Sequence, residues 1–154
     1  MSRIIRYDLE NHCYHLTSAT EDRRPIFQNP RWAGILVAAI HFLRSDRAFV
    51  LAYVVMPDHF HLLVVPRNNY KVSQLMQTVK GYTSRAINEA RDTRGRLWQP
   101  SFHDRVIRGQ RHLLDTIEYI HANPVKAGMV GRPSEYPFSS AAVDVDTDLS
   151  RYLE

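Results

Sequence analysis

The chain has 154 residues, of which 44% are hydrophobic and 23% charged, so it fits one globular domain that can form a core without a metal or a disulfide. Its single cysteine, Cys13, excludes an internal disulfide, and no apolar run approaches the roughly 18 residues of a membrane-spanning helix. The net charge of +4 at pH 7 is modest and is compatible with either a solvated surface or an anionic ligand.

The first half of the chain predicts one helix among three strands. Residues 14–18 combine aromatic and β-branched side chains and predict a strand. Apolar residues recur with helical spacing over residues 32–43 and predict a helix. Residues 48–56 and 59–65 predict two further strands, and the two residues between them favour a tight antiparallel hairpin.

The second half predicts a helix over residues 72–90, a strand over 105–108 and a helix over 111–126. The resulting order β-α-β-β-α-β-α is that of a ferredoxin-like α+β sandwich, an antiparallel sheet with helices on one face. We expect the other face of the sheet to be free for a ligand. We place the domain at residues 1–142 and treat residues 143–154, with four acidic side chains, as an acidic C-terminal tail.

Positive charge is concentrated in one part of the chain. Residues 80–111 hold eight basic side chains and three acidic ones. If the basic side chains share a face, they form a surface that attracts phosphate, which favours a nucleic-acid ligand. The acidic tail suggests the further hypothesis that it competes with DNA for this surface. The basic residues are Lys80, Arg85, Arg91, Arg94, Arg96, Arg105, Arg108 and Arg111.

The sequence His59-Phe60-His61 opens the third predicted strand. Residues i and i+2 of a strand point to the same face, so both imidazoles can converge on one point. Neutral imidazole is a common metal ligand. Two histidines on a half-exposed strand are also an ordinary arrangement, so at this stage a metal pair and a plain polar strand both remain open.

The last predicted helix carries a tyrosine away from its apolar stripe. On a helical wheel Tyr119 lies nearly opposite that stripe, and Asn123 follows one turn later, so its amide can reach the neighbourhood of the Tyr119 hydroxyl. Tyr82, in contrast, falls in the apolar stripe of its helix and is expected in the core, and Tyr136 lies in a loop. The wheel therefore selects Tyr119 as the candidate functional tyrosine, with a surface tyrosine as the alternative.

Four blocks, in this order and at these spacings, resemble the single-tyrosine HUH transposases, and most closely their REP-associated tyrosine transposase branch. The similarity covers nearly the whole chain and includes YHLTS at 14–18 as the first strand. The blocks are YVVMPDHFHLL at 53–63, LWQPSFHDR at 97–105, YIHANPVKAG at 119–128 and YPFSS at 136–140.

The resemblance implies a role for each candidate residue. His59 and His61 would hold a divalent metal, Mg²⁺ or Mn²⁺, Tyr119 would be the nucleophile, and Asn123 would take the third ligand position. A phenol is a weak nucleophile at neutral pH unless its proton is removed or its target is activated. Attack on a phosphodiester would give a 5′-phosphotyrosine and a free 3′-OH, which a second 3′-OH can reverse without ATP.

The resemblance also implies single-stranded DNA folded into a REP-like hairpin as the partner. Basic residues can contact its phosphates, and aromatic residues can stack an unpaired base. Core packing of Trp98 and an ordinary solvated surface for the polar residues remain the alternatives. The candidate DNA-binding residues are Lys80, Arg85, Trp98, Gln99, Phe102, Arg105 and Arg108.

Three functions from different classes remain open. The first is the strand transferase, a DNA transposase; the second is a nuclease in which the same histidine pair activates water; the third is a non-catalytic regulator that binds hairpin DNA. The first residues lack the apolar core of a signal peptide, so we expect a cytoplasmic protein without a membrane partner. The pattern is compatible with a monomer or a homodimer.

Overall fold

The computed structural model describes residues 12–153, and an antiparallel four-stranded sheet organises them, with strand order β2-β3-β1-β4. Short 3-10 turns follow β1 and precede the C-terminal segment. The strands are β1 (Tyr14–Ala19), β2 (Ala48–Met56), β3 (His59–Pro66) and β4 (His103–Val106). The helices are α1 (Pro30–Phe42), α2 (Val72–Arg91), α3 (Gln110–Lys126) and α4 (Leu149–Leu153).

The ferredoxin-like α+β class predicted from the sequence is confirmed. Most element bounds agree with the prediction to within two residues, and β4 begins and ends two residues earlier than predicted. The β2–β3 hairpin has the expected tight turn at Pro57-Asp58, with Met56 paired to His59. No helix within residues 12–153 is both long and apolar enough to cross a membrane.

The two faces of the sheet are covered by different helices. Alternate residues of β3, among them Phe60 and Leu62, pack with α1 and α2 through a core that includes Leu36 and Leu75. The intervening residues face the other way, and Leu63 packs with a second core to which α3 contributes. The expectation that the helices lie on one face with the other face free is therefore wrong for α3. Helical periodicity shows which side of α3 is apolar but not which face of the sheet it covers.

Within the described chain, residues 143–153 are attached to the fold at the start of β2. The buried Asp148 carboxylate accepts a hydrogen bond from the main-chain N–H of Val50 at 3.0 Å and pairs with Arg44. Tyr152 in α4 is buried against the second core. His59 and His61 pair instead with the end of β2. The acidic segment thus lies at the other end of that strand from the two histidines, and Asp148 has a partner within the protein.

Candidate functional site

The tight turn after β2 brings His59 and His61 to the start of β3, on the same face of the sheet. Their ring centroids are 5.1 Å apart and the ring planes are nearly perpendicular. His61 is buried, whereas His59 is half-buried. The side chains of this pair therefore converge as the strand periodicity predicts.

The turn residue Asp58 orients the first imidazole. Its carboxylate oxygen Oδ1 lies 2.7 Å from Nδ1 of His59, and Oδ2 accepts a hydrogen bond from Nε of Arg23 at 3.0 Å. Burial opposes ionisation of Asp58, but the hydrogen bond and charge of His59 and the charge of Arg23 outweigh it and hold the pKa of its carboxyl below the ordinary value. With Nδ1 engaged by Asp58, Nε2 is the nitrogen of His59 left for a ligand.

Two residues of β1 that the sequence analysis missed contact the second imidazole. Nδ1 of His61 lies 2.9 Å from Nε2 of His15 and 3.0 Å from the Thr17 hydroxyl. Burial lowers the pKa of His61 to about 3 with help from the charges of His15 and His59. Burial likewise lowers the pKa of His15 to about 4, together with the charges of Arg105 and His112. The only signal in the sequence is polar residues at 15 and 17, two apart in a strand.

Tyr119 faces the histidines from α3. Its ring centroid lies 5.5 Å from that of His61 and 6.1 Å from that of His15, with 47% of the residue exposed. A cavity of about 600 Å³ between α3 and the sheet is lined by these three side chains together with Thr17 and Arg105. The predicted position of Tyr119 away from the apolar stripe is thus confirmed, and the phenol lies in an open cleft beside His61 and His15.

The Lys126 ammonium lies 5.6 Å from the centroid of the Tyr119 ring. Lys126 is exposed and follows Tyr119 by seven residues, two helical turns, so both side chains lie on one side of α3. The Lys126 ammonium therefore adds positive charge beside the phenol, and Lys126 is not among the residues that line the cavity.

Asn123 is one turn after Tyr119, as predicted, but its amide reaches a different atom. Its Nδ2 donates to the main-chain oxygen of Tyr119 at 3.0 Å rather than to the neighbourhood of the phenol hydroxyl. This hydrogen bond uses the amide nitrogen and leaves the amide oxygen Oδ1 available to coordinate a cation. Within residues 12–153 no three His, Cys, Asp or Glu side chains are grouped as metal ligands. Neither His59 nor Asn123 is among the residues that line the cavity with His61 and Tyr119. The three-ligand set therefore stays a prediction, and two imidazole nitrogens with an amide oxygen suit Mn²⁺ better than Mg²⁺.

The structure brings one of the seven predicted DNA-binding residues to this cavity. Arg105, on β4, is exposed and lines the cleft with Tyr119. Arg108 is exposed just before α3, where its main-chain N–H donates to Nδ1 of His112. Arg85 is exposed on α2, beside a separate cavity of about 510 Å³. These arginines are accessible to phosphate, but they lie around the molecule rather than in one cluster at the tyrosine.

The other four predicted DNA-binding residues line a different cavity, of about 490 Å³, between α2 and residues 96–102. Trp98 is only 4% exposed, stacks on Phe27 and donates its indole N–H to the Thr83 hydroxyl at 3.0 Å. Both the ring and its polar atom are thus used in the core, which favours the core-packing alternative for Trp98; base stacking by Trp98 stays a prediction. The four residues are Lys80, Trp98, Gln99 and Phe102.

The Lys80 side chain is likewise used within the protein. Its ammonium donates to the main-chain oxygens of Gln99 and Ser101, both at 3.0 Å, and so attaches this segment to α2. Burial lowers the pKa of Lys80. Phe102 is half-buried against the core, and Gln99 is half-buried with its main-chain N–H donating to Ala19. This group is a structural support for the segment between α2 and β4.

Comparison with known proteins shows the family of the chain. A family model described as "Transposase IS200 like" matches residues 8–123, three quarters of the chain. The chain belongs to the IS200-like transposase family. A REP-associated tyrosine transposase of Escherichia coli K12 is 29% identical over 147 residues, covering 94% of this chain and 86% of that protein. These matches identify the enzyme as a DNA transposase.

The fold of this IS200-like transposase matches a solved structure over its full length. That structure is a REP-associated tyrosine transposase bound to a REP hairpin, with a TM-score of 0.74 and 27% sequence identity. The match covers 100% of this chain and 88% of the other. The resemblance to the REP-associated branch stated from the sequence blocks is thereby confirmed.

Proposed function

We propose that this transposase is a metal-dependent endonuclease and strand transferase that cuts single-stranded DNA next to REP-like hairpins, through a covalent 5′-phosphotyrosine at Tyr119. The observation that carries the proposal is the exposed Tyr119 phenol beside His61, with 5.5 Å between their ring centroids. Both side chains line one open cleft, which a phosphodiester can enter.

His59, His61 and Asn123 would hold the divalent ion. Each residue has one atom available to the ion. In His59 and His61 it is Nε2, because Nδ1 contacts Asp58 and His15 respectively, and in Asn123 it is Oδ1. When bound, Mg²⁺ or Mn²⁺ supplies Lewis-acid polarisation of the scissile phosphate and neutralises charge on the leaving oxygen.

The chain's own residues would carry the bond changes. Oη of Tyr119 attacks phosphorus, the new P–Oη bond forms as the P–O3′ bond breaks, and the phenol proton is lost as the 3′ oxygen gains one. The upstream fragment then ends in a 3′-OH, and the 5′-phosphate of the downstream fragment is attached to Tyr119. Because the phosphodiester energy is retained in the adduct, a second 3′-OH can attack it and join a new strand. A single tyrosine cuts one strand at a time.

A hairpin partner is supported by the REP hairpin held by the solved relative and by individual arginines at and near the cleft, whose lining also includes Asp104 and Asp115. Arg105 lines the cavity beside Tyr119, and Arg108 lies near the start of α3, so both can contact phosphates flanking the cut. Each such contact adds to the salt dependence of binding, with a slope of about 0.7 log units per log unit of salt for a single strand.

The test uses a labelled single-stranded hairpin oligonucleotide with Mn²⁺, Mg²⁺ or a chelator, and compares wild type with Tyr119→Phe on a denaturing gel. The expected result is a band shifted by the protein's mass that requires metal and is absent from Tyr119→Phe. Cleaved DNA without an adduct, also formed by Tyr119→Phe, would instead indicate a nuclease that activates water. Hairpin binding with neither product, unchanged by chelator, would indicate a non-catalytic regulator.

A further inference from the structure

We propose that His15 and Thr17 are positioning residues that hold the His61 imidazole in the tautomer with its proton on Nδ1, which leaves the Nε2 lone pair for a divalent cation. This inference rests on the metal site in the proposed function. It assigns to the first strand a part in building that site.

The sheet register places both residues against His61. Thr17 is the direct partner of His61 in the antiparallel β1–β3 pairing, and His15, paired with Leu63, lies on the same face two residues away. The contacts of 2.9 Å to Nε2 of His15 and 3.0 Å to the Thr17 hydroxyl both end on one atom, Nδ1 of His61. Because the strand backbone fixes all three positions, these contacts exist before any ligand arrives.

Two tautomers of His61 are compatible with these distances, and they differ in what they can bind. With the proton on Nδ1, His61 donates to Nε2 of His15 or to the Thr17 oxygen, and Nε2 of His61 is free to coordinate a cation. With the proton on Nε2, Nδ1 accepts from His15 or Thr17, and His61 has no lone pair for a cation on its exposed side.

His15 can accept the His61 proton in this pair. It is half-buried, and its ring centroid lies 5.1 Å from that of His61. An imidazole lone pair at Nε2 accepts the His61 proton, while the Thr17 hydroxyl supplies a second oxygen acceptor at nearly the same distance. Asp58 performs the matching task for His59, where a carboxylate accepts from Nδ1.

The test variants remove or keep the two groups that would accept the His61 proton, Nε2 of His15 and the Thr17 hydroxyl. The double variant His15→Phe, Thr17→Val removes both acceptors at similar volume, whereas each single change leaves one in place. The rescue variant His15→Gln, Thr17→Val keeps a hydrogen-bond acceptor at position 15 and none at position 17. The matched control is His103→Phe: His103 is paired with Thr17 across β4 and lines the same cavity, yet is not a hydrogen-bond partner of His61 among the described residues.

The first measurement is long-range ¹H–¹⁵N correlation of ¹⁵N-histidine-labelled protein without metal, which distinguishes the two neutral tautomers. We expect the Nδ1–H form at His61 in wild type, in the rescue variant and in His103→Phe. In the double variant His15→Phe, Thr17→Val we expect a mixture or the Nε2–H form. An Nε2–H tautomer in wild type, or an unchanged spectrum of His61 in the double variant, would overturn the proposal.

The second measurement is Mn²⁺ affinity by electron paramagnetic resonance. We expect the double variant to bind about 10- to 100-fold more weakly than wild type, the range seen when partners of metal ligands are removed. The rescue variant His15→Gln, Thr17→Val should regain most of the lost affinity, and His103→Phe should match wild type. Equal affinity in wild type and the double variant would overturn the proposal. If wild type shows the Nδ1–H form but binds no Mn²⁺, the metal of the proposed function is wrong while the hydrogen-bonded arrangement stands.

Discussion

Replacing Asp148 by alanine is expected to destabilise the fold strongly while leaving DNA binding unchanged. The Asp148 side chain is fully buried, and its two oxygens accept four hydrogen bonds of 3.0–3.2 Å. Two come from Arg44, one from Arg151 and one from the main-chain N–H of Val50. This carboxylate therefore joins the C-terminal segment to β2 and to the turn that follows α1.

The size of the effect follows from what the substitution leaves behind. Breaking a buried ion pair by removing one partner costs about 3–5 kcal/mol, and an unsatisfied buried N–H costs about 1–3 kcal/mol. Arg44 keeps 20% of its side chain exposed and keeps its contact with Asp146, which reduces the first cost. We therefore expect the free energy of unfolding to fall by about 3 kcal/mol in total.

The assay is urea denaturation of wild type, Asp148→Ala and the control Asp146→Ala. With a slope of about 2 kcal/mol per M, the midpoint of Asp148→Ala should fall by about 1.5 M. The carboxylate of Asp146 is 86% exposed, so its removal should change the midpoint little. A decrease of the Asp148→Ala midpoint by less than about 0.5 M would contradict this expectation. Tighter hairpin binding by the folded variant would instead support the hypothesis that the acidic tail competes with DNA.

Three further predictions concern the core, the metal and the cleft. Trp98→Ala should lower the free energy of unfolding, measured by urea titration, by about 3–5 kcal/mol. The folded variant should keep wild-type affinity for hairpin DNA in fluorescence anisotropy. Loss of affinity without loss of stability would support base stacking by Trp98. Removal of divalent metal with a chelator should abolish cleavage on a denaturing gel yet leave hairpin binding within about twofold, because the phosphate contacts come from arginines. Arg105→Ala should lower the slope of log affinity against log salt by about 0.7, whereas Arg31→Ala on α1, away from the cleft, should leave it unchanged.

The sequence was sufficient for features set by local pattern. The two-residue turn at Pro57-Asp58 fixes the β2–β3 hairpin, and strand alternation then puts His59 and His61 on one face. The wheel of α3 separates Tyr119 from the apolar stripe, and the structure leaves it half exposed. Each of these inferences needs only residues a few positions apart.

Features that depend on distant pairing were missed or wrong. The contact of His15 with His61 spans 46 residues and follows from the β1–β3 register, which no local pattern reveals. Tyr82, expected in the core, is 49% exposed because the buried stripe of α2 passes through Thr83 instead. The Thr83 hydroxyl accepts the indole N–H of Trp98 and donates to Val79 in its own helix. A polar residue can thus occupy a core position when a buried aromatic needs a hydrogen-bond partner.

The most direct test of the account is to identify the residue that carries DNA after cleavage. The adduct formed with a hairpin oligonucleotide and Mn²⁺ is digested with nuclease and trypsin and analysed by tandem mass spectrometry. Trypsin should release residues 112–126, in which Tyr119 is the only tyrosine. The account predicts a 5′-phosphate or a short nucleotide on that tyrosine. Modification of any other residue, or cleavage with no modified peptide, would contradict it.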